Sequence, residues 1–249
     1  VGLATLLIAP WACWWGRQEL QRLTRYDSLL VASSGLCLAL HFATWIASLQ
    51  YTSVAHSVVL VDLHPLWVGL ATPLVSTERL PRLMYVSIAL SLLGGLMIAS
   101  EALTLGGQAL WGNFLAVLGG LCAAGYLLLG RQVRRHLSLL TYIVLCYGSA
   151  ALLLWGWVLL TRQPVTGFAP ATYKAFLALA VIPQLLGHSS YNWALRWLSP
   201  SLISVSLLGE PVGSAVLAYV LFGEALTWAT GLGGGCILGA IVLAARSES

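Results

Sequence analysis

Long apolar runs separated by short polar stretches dominate the chain. Nine such runs occupy approximately residues 1–16, 28–49, 54–76, 83–100, 109–130, 138–161, 174–195, 202–222 and 227–245. A helix that crosses a bilayer needs about 20 mostly apolar residues. A membrane β-barrel would instead alternate in segments of about ten. The pattern therefore predicts an all-α, polytopic membrane helix bundle. The linking stretches are too short to hold a second, water-soluble domain. Val1–Trp15 follows no basic leader and ends in no clear cleavage site, so it reads as a span rather than a signal peptide.

Composition agrees with the pattern. The chain has 249 residues, 59% hydrophobic and 8% charged, against about 25% charged in an average soluble domain. Soluble enzymes, nucleic-acid binders and disordered proteins are excluded on that ground. The net charge of +4 reflects how the arginines are distributed. Alternate connections hold Arg17, Arg22 and Arg25, then Arg79 and Arg82, then Arg131, Arg134 and Arg135, then Arg196 and finally Arg246. The opposite set holds only Arg162 and Lys174. The positive-inside rule makes the first set cytoplasmic, so the C-terminus is expected there and Val1 on the far side. Cys13, Cys37, Cys122, Cys146 and Cys236 are scattered through apolar runs, which supports neither a disulfide framework nor a zinc site. No metal and no cofactor is expected. Trp11, Trp14, Trp15, Trp111, Trp155, Trp157, Trp197 and Trp228 lie near span ends and read as interfacial anchors. Trp45, Trp67 and Trp193 are left open to a binding role.

The chain also repeats itself. At an offset of 146 residues, Leu49–Ser53 falls on Leu195–Ser199, Pro65 on Pro211, Glu78 on Glu224 and Leu80 on Leu226. The repeat predicts two units, residues 1–100 with four helices and 109–245 with five. Units of five helices enter the membrane from opposite sides, which is the inverted repeat of many secondary transporters. The first unit is one helix short, so a helix is expected to precede Val1.

Two runs carry a family resemblance. The first is Ala47-Ser48-Leu49-Gln50-Tyr51-Thr52-Ser53 with Pro65 and Thr77-Glu78-Arg79-Leu80. The second is Ala194-Leu195-Arg196-Trp197-Leu198-Ser199-Pro200 with Glu210-Pro211 and Phe222-Gly223-Glu224-Ala225-Leu226. Both resemble the EamA domain of the drug/metabolite transporter superfamily, whose pattern is five plus five helices. The resemblance implies a secondary transporter, often an exporter of amino acids or related metabolites. It also implies a central cavity lined by spans 28–49, 54–76, 174–195 and 202–222.

Polar residues inside the spans mark the candidate site. Asp62 and Glu210 each fall in the middle third of an apolar run, where an ionisable group costs about 2.5–3.5 kcal/mol on insertion scales unless it faces a cavity or a partner. Each neighbours a proline, Pro65 or Pro211, and a proline breaks the helical hydrogen-bond ladder. The repeat places His64 on Glu210. Gln184, His188 and Asn192, with Tyr191 beside them, form a polar stripe at helical spacing. His41, Trp45 and Ser48 form another, and Ser206, Glu210 and Ser214 a third. All three are expected to turn to the interior. The residues expected to bind substrate are His41, Trp45, Asp62, His64, His188, Tyr191, Asn192 and Glu210. Gly231, Gly235 and Gly239 are expected to form a close-packing face, and Gly94-Gly95 and Gly119-Gly120 to act likewise.

The function expected is secondary transport, as an exporter, of a small polar metabolite such as an amino acid by alternating access. Proton coupling is open, and the site is not catalytic. The expected surroundings are the lipid bilayer of a bacterial inner membrane and no nucleic acid, and a homodimer is compatible with the sequence. ATP-driven transport is disfavoured, because Lys174 is the sole lysine and no phosphate-binding loop surrounds it. Two alternatives differ in class. One is a non-transporting or truncated scaffold paralogue. The other is an intramembrane serine protease, suggested by Gly187-His188-Ser189-Ser190 with His41 as base.

Overall fold

A computed structural model describes residues 1–75, 80–99, 107–222 and 227–248. Within them each of the nine apolar runs is helical and no strand occurs. In chain order the helices are α1 (Gly2–Trp15), α2 (Arg17–Gln21), α3 (Arg25–Ser48), α4 (Val54–Val61), α5 (His64–Val75), α6 (Arg82–Ala99) and α7 (Gln108–Arg134). They continue with α8 (Leu139–Leu160), α9 (Pro170–Leu179), a π-helical segment (Ala180–His188), α10 (Ser189–Ala194), α11 (Pro200–Leu207), α12 (Gly209–Phe222) and α13 (Trp228–Glu248). Thr77, Glu78, Arg79 and the stretch Gly223–Leu226, which carry part of the family resemblance, lie outside the described residues.

Six helical runs among the described residues are long and apolar enough to cross a bilayer: Arg25–Ser48, Ser57–Val75, Gln108–Arg134, Leu139–Leu160, Pro200–Leu217 and Trp228–Glu248. Two of these pass through an interruption, at Asp62-Leu63 and at Leu208. The remaining runs are shorter (α1 and α6) or divided by the π segment. That segment contains Pro183, which cannot supply an α-helical hydrogen bond, and the register widens around it.

The chain divides into two compact units, and the division passes through α3 and α7. The first unit is Val1–Leu40 with Gly125–Leu198, and the second is His41–Ala124 with Ser199–Ser249.

In the first unit α1 packs on α8, and Gly35 lets α3 approach α8. A Cβ at Gly35 would stand 2.7 Å from the Cys146 carbonyl oxygen. The unit's interior is polar as well as apolar. Ser34 Oγ and the Tyr142 hydroxyl are 2.8 Å apart, and Tyr126, Tyr142 and Tyr147 are all fully buried. At the arginine-rich end, the Glu19 carboxylate accepts hydrogen bonds from the Ser138 N–H at 2.8 Å and from the hydroxyls of Ser138 and Thr141. This ties α2 to the start of α8, where Ser138 is the N-cap. Beside it, Asp27 accepts from His136 Nε2 at 2.8 Å.

In the second unit α6 lies along α13, and the contact corrects part of the glycine expectation: Gly94, Gly119 and Gly120 stand at close contacts and Gly239 is in ordinary contact with Leu90, but the four-residue series is not the packing face. Gly94 and Gly233 meet: a Cβ on either would come within 2.5 Å of the other's carbonyl oxygen. Gly231, Gly235 and Gly95 have nothing within 4 Å of an added Cβ. The buried stripe of α13 is Gly233, Ile237, Ala240 and Ala244, rotated from the four-residue glycine series. Spacing alone marks a smooth face, but the large side chains on the neighbouring helix decide which face is used. Met84, Ile88, Leu202, Val205, Ala240 and Ala244 form the apolar core of this unit.

The eight expected anchor tryptophans all have their rings exposed, from 49% at Trp155 to 87% at Trp228. The indole nitrogens of Trp45 and Trp67 are buried.

Candidate functional site

The expected site residues fall into two groups, one in each unit. The second unit holds His41, Trp45, Asp62, His64 and Glu210. The break between α4 and α5 follows from its local chemistry. Pro65 has no N–H to give the Val61 carbonyl, and His64 Nδ1 donates to that oxygen instead, at a long 3.4 Å. Asp62 itself closes the last turn of α4 through its N–H to the Val58 carbonyl, 2.9 Å. Its side chain is half-buried.

Glu210 sits in the first turn of α12, directly after the interruption at Leu208. It is exposed, as are Ser206 and Ser214, so this stripe lies on an open helix face. The stripe of α3 is enclosed: His41 and Ser48 are buried, and Trp45 stacks on His41 with ring centroids 5.7 Å apart. His41 Nδ1 donates to the Gly119 carbonyl at 3.0 Å. A carbonyl can only accept, so in neutral His41 the proton is on Nδ1. His64 is buried and within electrostatic reach of His41. The backbone of Ser204 in α11 is close enough to act on its ring, yet Nε2 makes no well-formed hydrogen bond.

The first unit holds His188, Tyr191 and Asn192. His188 Nδ1 and the Tyr191 hydroxyl are hydrogen-bonded. Asn192 is fully buried; its amide donates to the hydroxyls of Tyr126 and of Tyr147, the latter at 3.1 Å. The Tyr147 hydroxyl also meets Ser189 Oγ at 3.2 Å. Two arginines of α7 hold the backbone of this helix end. Arg131 Nη1 donates to the Leu195 carbonyl at 2.7 Å, and Arg134 Nε to the Asn192 carbonyl at 2.9 Å.

Sequence reasoning did not select Tyr126 or Tyr147, because a tyrosine in an apolar run looks like any other large core residue. It assigned Gly119-Gly120 to packing alone. The four-residue spacing that grouped Gln184, His188 and Asn192 presumes an α-helix, whereas Gln184 and His188 lie in the π segment. Gln184 and Asn192 are buried and His188 is only half-buried. The side chain of His56 lies outside the described residues.

Ser189 does not resemble a catalytic nucleophile. Its hydroxyl is shared between the Tyr147 hydroxyl and the Gln184 carbonyl, 3.4 Å away, and the neighbouring His188 is turned to Tyr191. No group of three or more His, Cys, Asp or Glu side chains suited to hold a metal occurs among the described residues.

Comparison with known proteins agrees with this architecture. An uncharacterized transporter of Archaeoglobus fulgidus is 25% identical over 207 residues, covering 82% of this chain and 72% of the relative. A crystal structure of another protein superposes with a TM-score of 0.73 at 16% identity, covering 97% of this chain and 98% of that one; this likeness concerns the fold alone. The EamA-like transporter family matches twice, over residues 1–100 and 110–246. The molecule is thus an integral, multi-pass membrane protein with a small-molecule substrate, a transporter and not an enzyme, and the chain belongs to the EamA-like transporter family.

Proposed function

We propose that this chain is a secondary carrier that exports a small polar metabolite, such as an amino acid, by alternating access. Asp62, His64 and Glu210 receive the substrate amine or a coupling proton. The observation that carries the reading is that Asp62 and Glu210 each stand at or beside an interruption in an apolar helical run long enough to cross a bilayer. An accessible carboxylate at mid-span is tolerated where it meets water or a cation rather than hydrocarbon. Discontinuous helices are the usual place for substrate and ion sites in secondary transporters.

The same reading takes residues 1–100 and 109–245 as repeats of opposite orientation. It places the C-terminus in the cytoplasm of a bacterial cell and allows a homodimer in the inner membrane. Single cysteines at Gln50 and Arg196, equivalent positions of the two repeats and both exposed, in a background without the native thiols, are then labelled from opposite faces of the membrane.

The transport test is flux in reconstituted vesicles. A panel of amino acids is offered with and without a pH gradient, for the native chain and for Glu210→Gln. The expected result is flux for at least one amino acid, with the variant losing most of it or its pH dependence. Unchanged flux and pH dependence in Glu210→Gln would overturn the site, and labelling of both cysteines from one face would overturn the inverted repeat.

A further inference from the structure

The arginine-rich end of the first unit leaves much of its charge uncompensated. Residues 1–40 and 125–198 contain only two acidic side chains, Glu19 and Asp27, against seven arginines at that end. Both carboxylates are engaged inside the unit. Glu19 accepts from the Ser138 N–H at 2.8 Å and from the hydroxyls of Ser138 and Thr141 at the start of α8. Asp27 accepts from Thr24 Oγ at 2.7 Å and from His136 Nε2 at 2.8 Å. Arg17, Arg22 and Arg25 stand between or beside these acids in the chain, and all three are exposed. Among the described residues none of their guanidinium groups has a hydrogen-bond or ion-pair partner.

The inward bonds fix which way the segment faces. α2 is held to α8 through Glu19. Arg17 precedes Glu19 by two residues, about 200° of helical rotation, so it lies on the face turned away from α8. Trp14 and Trp15 end α1 just before it and Tyr26 follows Arg25, all with exposed rings. Tryptophan and tyrosine at the ends of spanning helices sit at headgroup level, so the three guanidinium groups lie at the depth of the lipid phosphates. Each offers a planar fork of N–H donors that matches phosphate oxygens. The positive-inside rule accounts for the side on which arginines collect during insertion, but it does not require the neighbouring acids to turn inward. That turn is what keeps this surface cationic in the folded protein.

We propose that residues 14–26 form a binding surface for an anionic phospholipid, with its headgroup phosphate held by Arg17, Arg22 and Arg25 and its glycerol and upper acyl region lying along Trp14 and Trp15. The surface belongs to one unit and does not rest on the transport reading. It selects a headgroup of net negative charge, because the ammonium of a zwitterionic lipid would meet the same arginines and offset the attraction of its phosphate.

The test uses the full chain in neutral detergent, titrated with phosphatidylglycerol or with phosphatidylcholine of the same acyl chains, and bound lipid is counted by native mass spectrometry. Phosphatidylglycerol is expected to bind the more tightly, with an advantage that shrinks as ammonium acetate is raised. Each arginine is expected to contribute about fivefold, so Arg17→Gln, Arg22→Gln and Arg25→Gln combined should weaken phosphatidylglycerol binding about a hundredfold and leave phosphatidylcholine binding unchanged. Exposed, unpartnered side chains contribute little to folding, so this variant should melt with the native chain in lipid-free detergent. If it does not fold, Arg17→Gln alone, with its roughly fivefold loss, carries the test. Arg162→Gln with Lys174→Gln, on the opposite connection, should bind both lipids as the native chain does. Equal binding of the two lipids, or phosphatidylglycerol binding unchanged in the arginine variants, overturns the surface. An equal loss in the Arg162 and Lys174 variant overturns it as well, since the effect would then be one of total charge. Displacement of phosphatidylglycerol by inorganic phosphate at matched concentration would overturn the lipid as ligand.

Discussion

His41 Nδ1 and the carbonyl of Gly119 are joined by a 3.0 Å hydrogen bond from α3 to the middle of α7. The next residue, Gly120, extends the same approach to the α4–α5 break. A Cβ there would lie 2.6 Å from the Val61 carbonyl oxygen, the atom that Pro65 leaves without its helical partner and His64 partly satisfies. The two glycines thus set how closely α7 comes to both histidine-bearing elements.

Gly120→Ala is therefore expected to destabilise the protein by about 1–3 kcal/mol, because the obstructing atom belongs to the backbone and cannot swing away. It should also lower flux by displacing His64. Denaturation of the detergent-solubilised protein checks the first effect and vesicle transport the second. A variant as stable as the native chain would mean that α7 stands farther from Val61.

Gly233→Ala and Gly235→Ala separate the two faces of α13. The first forces a side chain against the Gly94 carbonyl, where 2.5 Å is available, and should open the contact between α6 and α13. The second meets empty space and should be neutral or gain roughly 0.5–1 kcal/mol from the lost flexibility of glycine. Thermal melts of the two variants side by side decide the matter, and equal effects would contradict the packing described.

Arg134 is almost wholly buried, donating to the Asn192 carbonyl at 2.9 Å and to the Leu137 carbonyl. Arg134→Met leaves both oxygens unpaired at about 1–3 kcal/mol each, partly offset because no charge is then buried. A net loss on the order of 2 kcal/mol is expected, with Arg134→Lys recovering part of it. Unfolding measured for the three chains tests this ranking.

Glu19 gives a pH dependence. Burial pushes its carboxyl up, but hydrogen bonds from the Ser138 and Thr141 hydroxyls and the Ser138 N–H, with the Arg134 charge nearby, outweigh burial and hold it below the ordinary glutamate value. A carboxylate lowered in the folded state contributes stability above its unfolded value. That contribution is lost as pH falls through the folded value. The native chain should lose stability on acidification below the ordinary carboxylate range, and Glu19→Gln should lessen that loss while lowering stability near neutrality. Parallel pH titrations of melting would refute the assignment if the two curves kept a constant separation.

Much of the architecture could be read without coordinates. Apolar runs long enough to span a bilayer are a property of consecutive residues, and so are tryptophans placed at their ends. The relation of Pro65 to the Val61 carbonyl is equally local, since a proline acts on its own turn. The stripe containing Gln184, His188 and Asn192 was less legible. Its spacing assumes 3.6 residues per turn, and the π segment around Pro183 changes that count.

The sequence by itself determined that the chain lives in a bilayer, where its apolar helical runs lie, and which few ionisable groups sit too deep to be ignored. These follow from transfer energies and backbone rules that operate within a turn or two. Only the tertiary structure decided that Gly233 rather than Gly235 meets α6 and that Asn192 is held by two tyrosines. Those outcomes depend on the rotation of each helix about its axis. That rotation is set by the side chains and backbone of neighbours far away in sequence, which no periodicity along one segment can report.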